Sequence, residues 1–248
     1  MKKLLSFQNF LQVITVVALF ATTGCGKHEQ DVLYICMNTG ENHCGILVNA
    51  SKYSDLSVVT LTLLHSDFRD FEIAHGARTD GGITIMLPET LETTYLQEFN
   101  INGRRIMPPT VTVSNPEVKM LTVSWFYGVD IDGYAFVNLW PRVIDENDIG
   151  KNVFHYAASA RFVYVDSDLT ISGYSESMFD VIPAEGYKGP HQWTQKTTYS
   201  IDCKKGWNVW WTSSTWHEPT AHITAEYSTT PIGKLYWNVI ESDRRKIR

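Results

Sequence analysis

His217-Glu218-Pro219-Thr220-Ala221-His222 packs two imidazoles and a carboxylate into one short stretch, the residue types of a zinc-protease helix. The spacing defeats that reading. A zinc helix places its histidines at i and i+4 on one face, and Pro219 breaks a helix. In a strand, His222, Thr224 and Glu226 instead share one polar face and read as a solvated sheet surface. Asp130-Ile131-Asp132-Gly133 and Asp145-Glu146-Asn147-Asp148-Ile149-Gly150 offer oxygen ligands of the calcium-loop kind. Aligned on Gly133, the loop begins at Gly128 and ends at Leu139. Aligned on Gly150, it begins at Asp145 and ends at Tyr156. Neither supplies the closing Glu of an EF-hand, so both stretches read as hairpin turns, with a non-EF calcium site at residues 145–150 as the alternative. Gly173-Tyr174-Ser175-Glu176-Ser177 misses the Gly-x-Ser-x-Gly elbow, and no Gly-rich phosphate loop is present. A carboxylate pair for glycoside cleavage is a matter of spatial separation, and the sequence singles out no pair. The expectation is a protein without catalytic residues, metal ligands or a cofactor.

The cysteines point elsewhere. Cys36 and Cys44 are close enough in sequence to close a small disulfide loop, which leaves Cys203 free in a strand-like stretch where burial is the default. No Cys-x-x-Cys pair suggests zinc.

Trp207-Asn208-Val209-Trp210-Trp211, with Trp216, is the sharpest local pattern. In a strand, Trp207, Val209 and Trp211 point one way and Asn208, Trp210 and Thr212 the other. Trp210 and Trp211 therefore cannot enter the same layer. One of them is expected to face solvent, a loop or a partner, and exposed tryptophan suits stacking on sugar rings or a protein contact. Trp210, Trp211 and Trp216 are thus the candidate ligand-binding residues. The alternative is that the Ser175–Trp193 stretch covers Trp210.

The elements that would hold these residues are strands. Val59, Leu61 and Leu63 alternate with threonines, and Ile83, Ile85 and Leu87 repeat the pattern. Leu121, Val123, Trp125 and Tyr127 share one face of a further run. Ala135–Leu139, Phe162–Tyr164, Leu169–Ile171, Tyr199–Cys203, Ile223–Tyr227 and Leu235–Ile240 follow. Asp80-Gly81-Gly82, Asn102-Gly103, Asp132-Gly133, Lys205-Gly206 and Ile232-Gly233 punctuate them as turns. Only Glu89–Phe99 has room for a turn or two of helix. This pattern predicts an all-β fold, an antiparallel β-sandwich with a closed or partly open barrel as the alternative, formed by residues 32–248 as a single domain.

Ahead of that body, Met1-Lys2-Lys3, the apolar run Phe10–Phe20 and the small residues up to Gly24 make the charged, apolar, small order of a secretory signal over residues 1–24. Its end, Thr22-Thr23-Gly24-Cys25, resembles the bacterial lipoprotein signal, although Thr22 stands where that family usually has Leu. The resemblance implies that Cys25 carries the lipid and that residues 25–31 tether it. More than one acyl chain gives stable attachment, and Gly26 in place of Asp implies an outer membrane, on its periplasmic or surface face. The net charge is −6 over 248 residues. Because residues 1–24 hold Lys2 and Lys3 and no acid, the remainder is more acidic still. That disfavours nucleic acid and anionic lipid surfaces as partners.

Asp80–Pro88 with Tyr95-Leu96, Val111–Pro116, Phe162–Gly173, and Cys203–Asn208 with Pro231–Trp237 together resemble small Bacteroidetes-type lipoproteins of uncharacterised activity. Those place a lipid-attachment cysteine ahead of one β-rich domain. The chain departs from them at Trp140–Tyr156 and Ser175–Trp193. Gly173, Gly206 and Gly233 fall where a turn takes φ > 0. The combined expectation is a lipid-anchored envelope protein, a non-catalytic surface binding or adhesion module meeting glycan or protein. A structural or assembly accessory working through an edge strand is the alternative, and a hydrolase a more distant one.

Overall fold

The protein is all-β and sandwich-like, built on one large mixed sheet that is not closed into a barrel as a whole. The computed structural model describes residues 33–48, 50–53, 56–64, 70–80, 82–101, 107–123, 126–129, 135–144, 156–180, 189, 191–217 and 220–240. Residues 32–248 form one compact unit. Its strands are β1 Tyr34–Asn38, β2 Asn42–Leu47, β3 Val58–Leu64, β4 Asp70–Thr79, β5 Gly82–Met86, β6 Gln97–Glu98, β7 Val111–Val113 and β8 Lys119–Val123. They continue as β9 Phe126–Val129, β10 Ala135–Ile144, β11 Tyr156–Val165, β12 Leu169–Asp180, β13 Gln192–Cys203, β14 Gly206–His217, β15 His222–Ser228 and β16 Lys234–Ile240. Between Glu89 and Phe99 the helical potential amounts to one 3-10 turn, Thr93–Tyr95.

The strands fall into two groups. In the first, β16-β2-β1-β5-β4-β3-β9-β10 are successive neighbours, and β16 returns to pair with β10. The second runs β11-β14-β15-β13-β12-β7, with β8 and β6 on the other edge of β11. A single register pair, Arg142↔Ser159, joins β10 to β11. Most pairings are antiparallel, but β1–β5, β2–β16 and β13–β15 are parallel, which period-2 patterns do not reveal.

Two cores follow from the pleat of β11 and β14. Ala158, Ala160, Phe162, Val209 and Trp211 face the first group and join Ile35, Leu61, Ile85, Phe126 and Trp237. On the opposite face, Val163, Val165 and Trp210 join Leu169, Ile171, Ile201 and Tyr227 from the far end of the second group. A central strand buried on both faces reads as a near-continuous apolar run, as Val209-Trp210-Trp211 does. Trp237 anchors the first core. Its indole N–H donates to Ile35 O at 2.8 Å, and its ring lies parallel to Phe162 and edge-on to Phe126 at 4.9 Å. Fully burying one such ring contributes roughly 1.5–3 kcal/mol or more.

The run from Leu121 to Tyr127 is not one strand. It divides into β8 and β9, and the inward parity changes, so that Phe126 and not Tyr127 enters the core. Gly206 has φ +104 at the β13–β14 turn, as the sequence led us to expect. Gly173 has φ +115 inside β12 instead, where a Cβ would stand 2.1 Å from Thr110 O. That glycine permits a close approach of two backbones, not a turn.

Candidate binding cleft

The structure corrects the expectation that Trp210 or Trp211 is exposed. Trp210 is 2% and Trp211 4% exposed. Their side chains do diverge, but the sheet folds so that each face of β14 has a core to enter. What covers Trp210 is β12, β13 and β15, with no described part of the 181–190 stretch among its core partners. The Trp210 indole N–H donates to Cys203 Sγ at 2.9 Å. Cys203 is free and buried, and burial pushes its thiol up to about 11 against the pull of that N–H. Neither Trp210 face is available to a ligand. Trp216 is the exposed member of the trio, at 39%, its ring 5.5 Å from that of Trp193.

An opening with chemistry in it lies where the β1–β2 hairpin overhangs β13 and β14. Cys36 and Cys44 are directly opposite in register and joined by a disulfide, which ties that hairpin together. Its turn is further held by Gly40 N–H donating to Asn38 Oδ1 at 2.9 Å. The result is a cleft of about 680 Å³, within the ~300–1,000 Å³ typical of small-molecule sites. Trp207 and Trp211 form its aromatic wall, Glu41 and His43 its hairpin side, and Ser172 and Ser200 its floor.

Register explains the floor. Trp211 pairs with Ser228, Ser228 with Ser200 and Ser200 with Ser172, so all four lie on one face of the sheet. That face packs on the first core at β14 and opens toward solvent at β13 and β12. On the same face of β12 as Ser172, Tyr174 is 43% exposed, with Lys196 Nζ 4.8 Å above its ring.

Several polar groups of the cleft are already committed. The Asn208 amide bonds Lys204 O and Gly206 O, and its Oδ1 accepts from Lys204 N–H, so it holds the β13–β14 turn. Asp202 pairs with Lys204 at 3.2 Å. The Trp207 indole N–H donates to Pro88 O, and its ring meets Tyr164 edge-on at 5.4 Å. Among the described residues, the Ser172 and Ser200 hydroxyls and the Glu41 carboxylate have no hydrogen-bond partner. Burial lowers the pKa of His43, opposed by the nearby Glu41 carboxylate, and its ring packs edge-on against Phe162.

Sequence reasoning missed His43, Glu41, Ser172 and Ser200. The available signal was the position of Glu41 and His43 inside the Cys36–Cys44 loop. Nothing local marks the two serines. His217 and His222 stand opposite each other at the end of the β14–β15 hairpin, ring centroids 6.3 Å apart. No group of three or more His, Cys, Asp or Glu able to hold a metal occurs among the described residues. Cys25, residues 1–24 and the stretches Asp130–Gly133 and Asp145–Gly150 lie outside the described residues. No helix among the described residues is long and apolar enough to cross a membrane. No family model, curated protein or solved structure matches the chain.

Proposed function

We propose that the protein is a non-catalytic binding module of the cell envelope, anchored through lipid on Cys25, that receives a glycan in the cleft beneath the β1–β2 hairpin. One observation carries the reading: an aromatic wall faces uncommitted hydroxyl, imidazole and carboxylate groups in one open cleft of about 680 Å³. Sugars offer apolar ring faces to indole and hydroxyls to polar partners, so this mixture suits them. The shelf at Tyr174 extends the contact beyond a single sugar unit.

The Glu41, Asp202 and His43 side chains in one cleft favour a second reading, glycoside hydrolysis. Hydrolysis takes two carboxylates in distinct roles. Asp202 is paired with Lys204, which leaves Glu41 alone and favours binding over cleavage.

A glycan-array screen of the full chain, with His43→Ala and Tyr174→Ala as controls, tests the proposal. Both residues line the cleft or its shelf without filling a core. Retention of one glycan class by the wild type, weakened in both variants, supports it. A wild type that binds nothing, or variants that bind as the wild type does, sinks it. Release of reducing sugar from a bound glycan, abolished by Glu41→Gln, would move the assignment to the hydrolase.

A further inference from the structure

A second opening lies at the other end of the second core, and its cause is a gradient written into four strands. Along the same face, β14 passes from Trp210 to Thr212 and Ser214, and β13 from Ile201 and Tyr199 to Thr197 and Gln195. On β12 the sequence runs from Ile171 to Ser175 and Ser177, and on β11 from Val163 to Ser159. On β12, β13 and β14 large apolar side chains give way to small polar ones over this stretch before Phe179, Trp193 and Trp216 return on the same face, and on β11 Arg161 stands between Val163 and Ser159. Pairing aligns the exchange, with Ser214 opposite Ala225, Ala225 opposite Thr197 and Thr197 opposite Ser175. The core therefore stops filling and leaves a hollow of about 250 Å³. That is below the ~300 Å³ at which sites for drug-sized ligands begin, and it fits a single ring.

The rim carries the specificity. Trp216 closes one side, supported by Trp193. Arg142 stands on β10, opposite Ser159 in register. It is the one charged side chain lining the hollow, with no hydrogen bond or ion pair among the described residues. Ser159 Oγ and Thr212 Oγ1 are 2.7 Å apart, and the Gln195 amide donates to Thr197 Oγ1 at 3.0 Å, leaving Gln195 Oε1 as an acceptor. A guanidinium unpaired among the described residues, beside hydroxyls, a carbonyl and an indole face in a protein of net charge −6, selects an anion on a ring that also bears donors.

We propose that the hollow at the Trp216 end binds a small ring-bearing carboxylate of the hexuronate class, with Arg142 pairing its carboxylate and Trp216 stacking on its ring. The site is separate from the cleft at His43 and does not depend on it. Isothermal titration of the full chain in detergent micelles with D-glucuronate and with D-glucose, at millimolar concentration, tests this. Glucuronate binding about tenfold or more tighter than glucose is expected, because a charge-assisted pair is worth at least that factor. Arg142→Gln erases the preference and leaves residual binding of both sugars, Arg142→Lys restores part of it, and Trp216→Ala removes the glucuronate-preferring component. His43→Ala leaves all of it unchanged, which separates this site from the cleft. Because Arg142 is exposed, thermal melting of its variants stays near wild type, and Trp216→Ala lowers the midpoint by only about 2–4 °C. Absence of glucuronate binding, equal affinity for the two sugars, or an unchanged preference in Arg142→Gln overturns the proposal.

Discussion

Trp210 and Trp216 lie on the same face of β14 and meet opposite fates. At the Trp210 end, Val163, Leu169, Ile201 and Tyr227 close around the indole until its one polar atom finds a thiol sulfur. At the Trp216 end, the corresponding neighbours are Ser159, Thr212, Ser214 and Ala225, and the ring is left at the rim of a hollow. The residue type is the same, so residue type does not decide between structure and recognition. The volume of the partners on adjoining strands decides it, because a packed interior has almost no free space while small polar residues leave some.

The hardest way to break this contrast is to truncate each ring. Trp210→Ala is expected to cost about 3–5 kcal/mol, the range for large-to-small changes of aromatics in a core. Trp216→Ala should cost about 1 kcal/mol, the scale of one aromatic pair. Denaturant unfolding measures both, and equal costs would mean the two ends are not packed differently.

A smaller effect sharpens the comparison at the cleft, which lies on the opposite face of the sheet near the Trp210 end. Replacing Cys36 and Cys44 together by Ala removes a short cross-link with a sequence separation of 8. The loss expected is about 2–3 kcal/mol in the chain-entropy account. Glycan retention at the cleft should fall more than the unfolding midpoint suggests, while glucuronate binding at the hollow persists. Loss of both together would show that the two openings are not independent.

The smallest effect concerns pH. His43 is held below its ordinary value by burial, so the unfolded chain binds its proton first as the solution is acidified. Stability is unaffected above the unfolded-state value of ~6.5 and falls as pH drops from there through the lowered native value, below which the loss is constant. His43→Gln should flatten the stability profile in that window and leave it unchanged above. An identical slope in the variant would place the responsible group elsewhere.

Much of the fold was legible in the sequence. Period-2 runs located most of the strands, Gly206 marked its turn, and the opposed directions of Trp210 and Trp211 were correctly read from parity alone. The inference from that parity failed because it assumed one core. A sequence pattern shows that both faces of β14 are apolar but not that β12, β13 and β15 curl back to cover the second. The single run assigned to Leu121–Tyr127 failed for a related reason, since a break between strands shifts parity without altering composition. The cleft was least legible. Ser172 and Ser200 look like ordinary outward residues of alternating strands, and only a hairpin far away in the chain turns them into a floor. The hollow at Trp216 left a clearer trace in Ser159, Gln195, Thr212 and Ser214, but it is visible only once the strands are aligned.

The bond from the Trp237 indole to the Ile35 carbonyl has a consequence for the order of events in the life of the chain. It ties the last described strand to the first, and β16 is inserted between β2 and β10. The first group therefore lacks a member until residues 234–240 have been made. Contacts of such long sequence separation form slowly, since loop-closure entropy is met before they stabilise anything. A nascent chain of this topology keeps its first group open until β16 has emerged, so that group closes late.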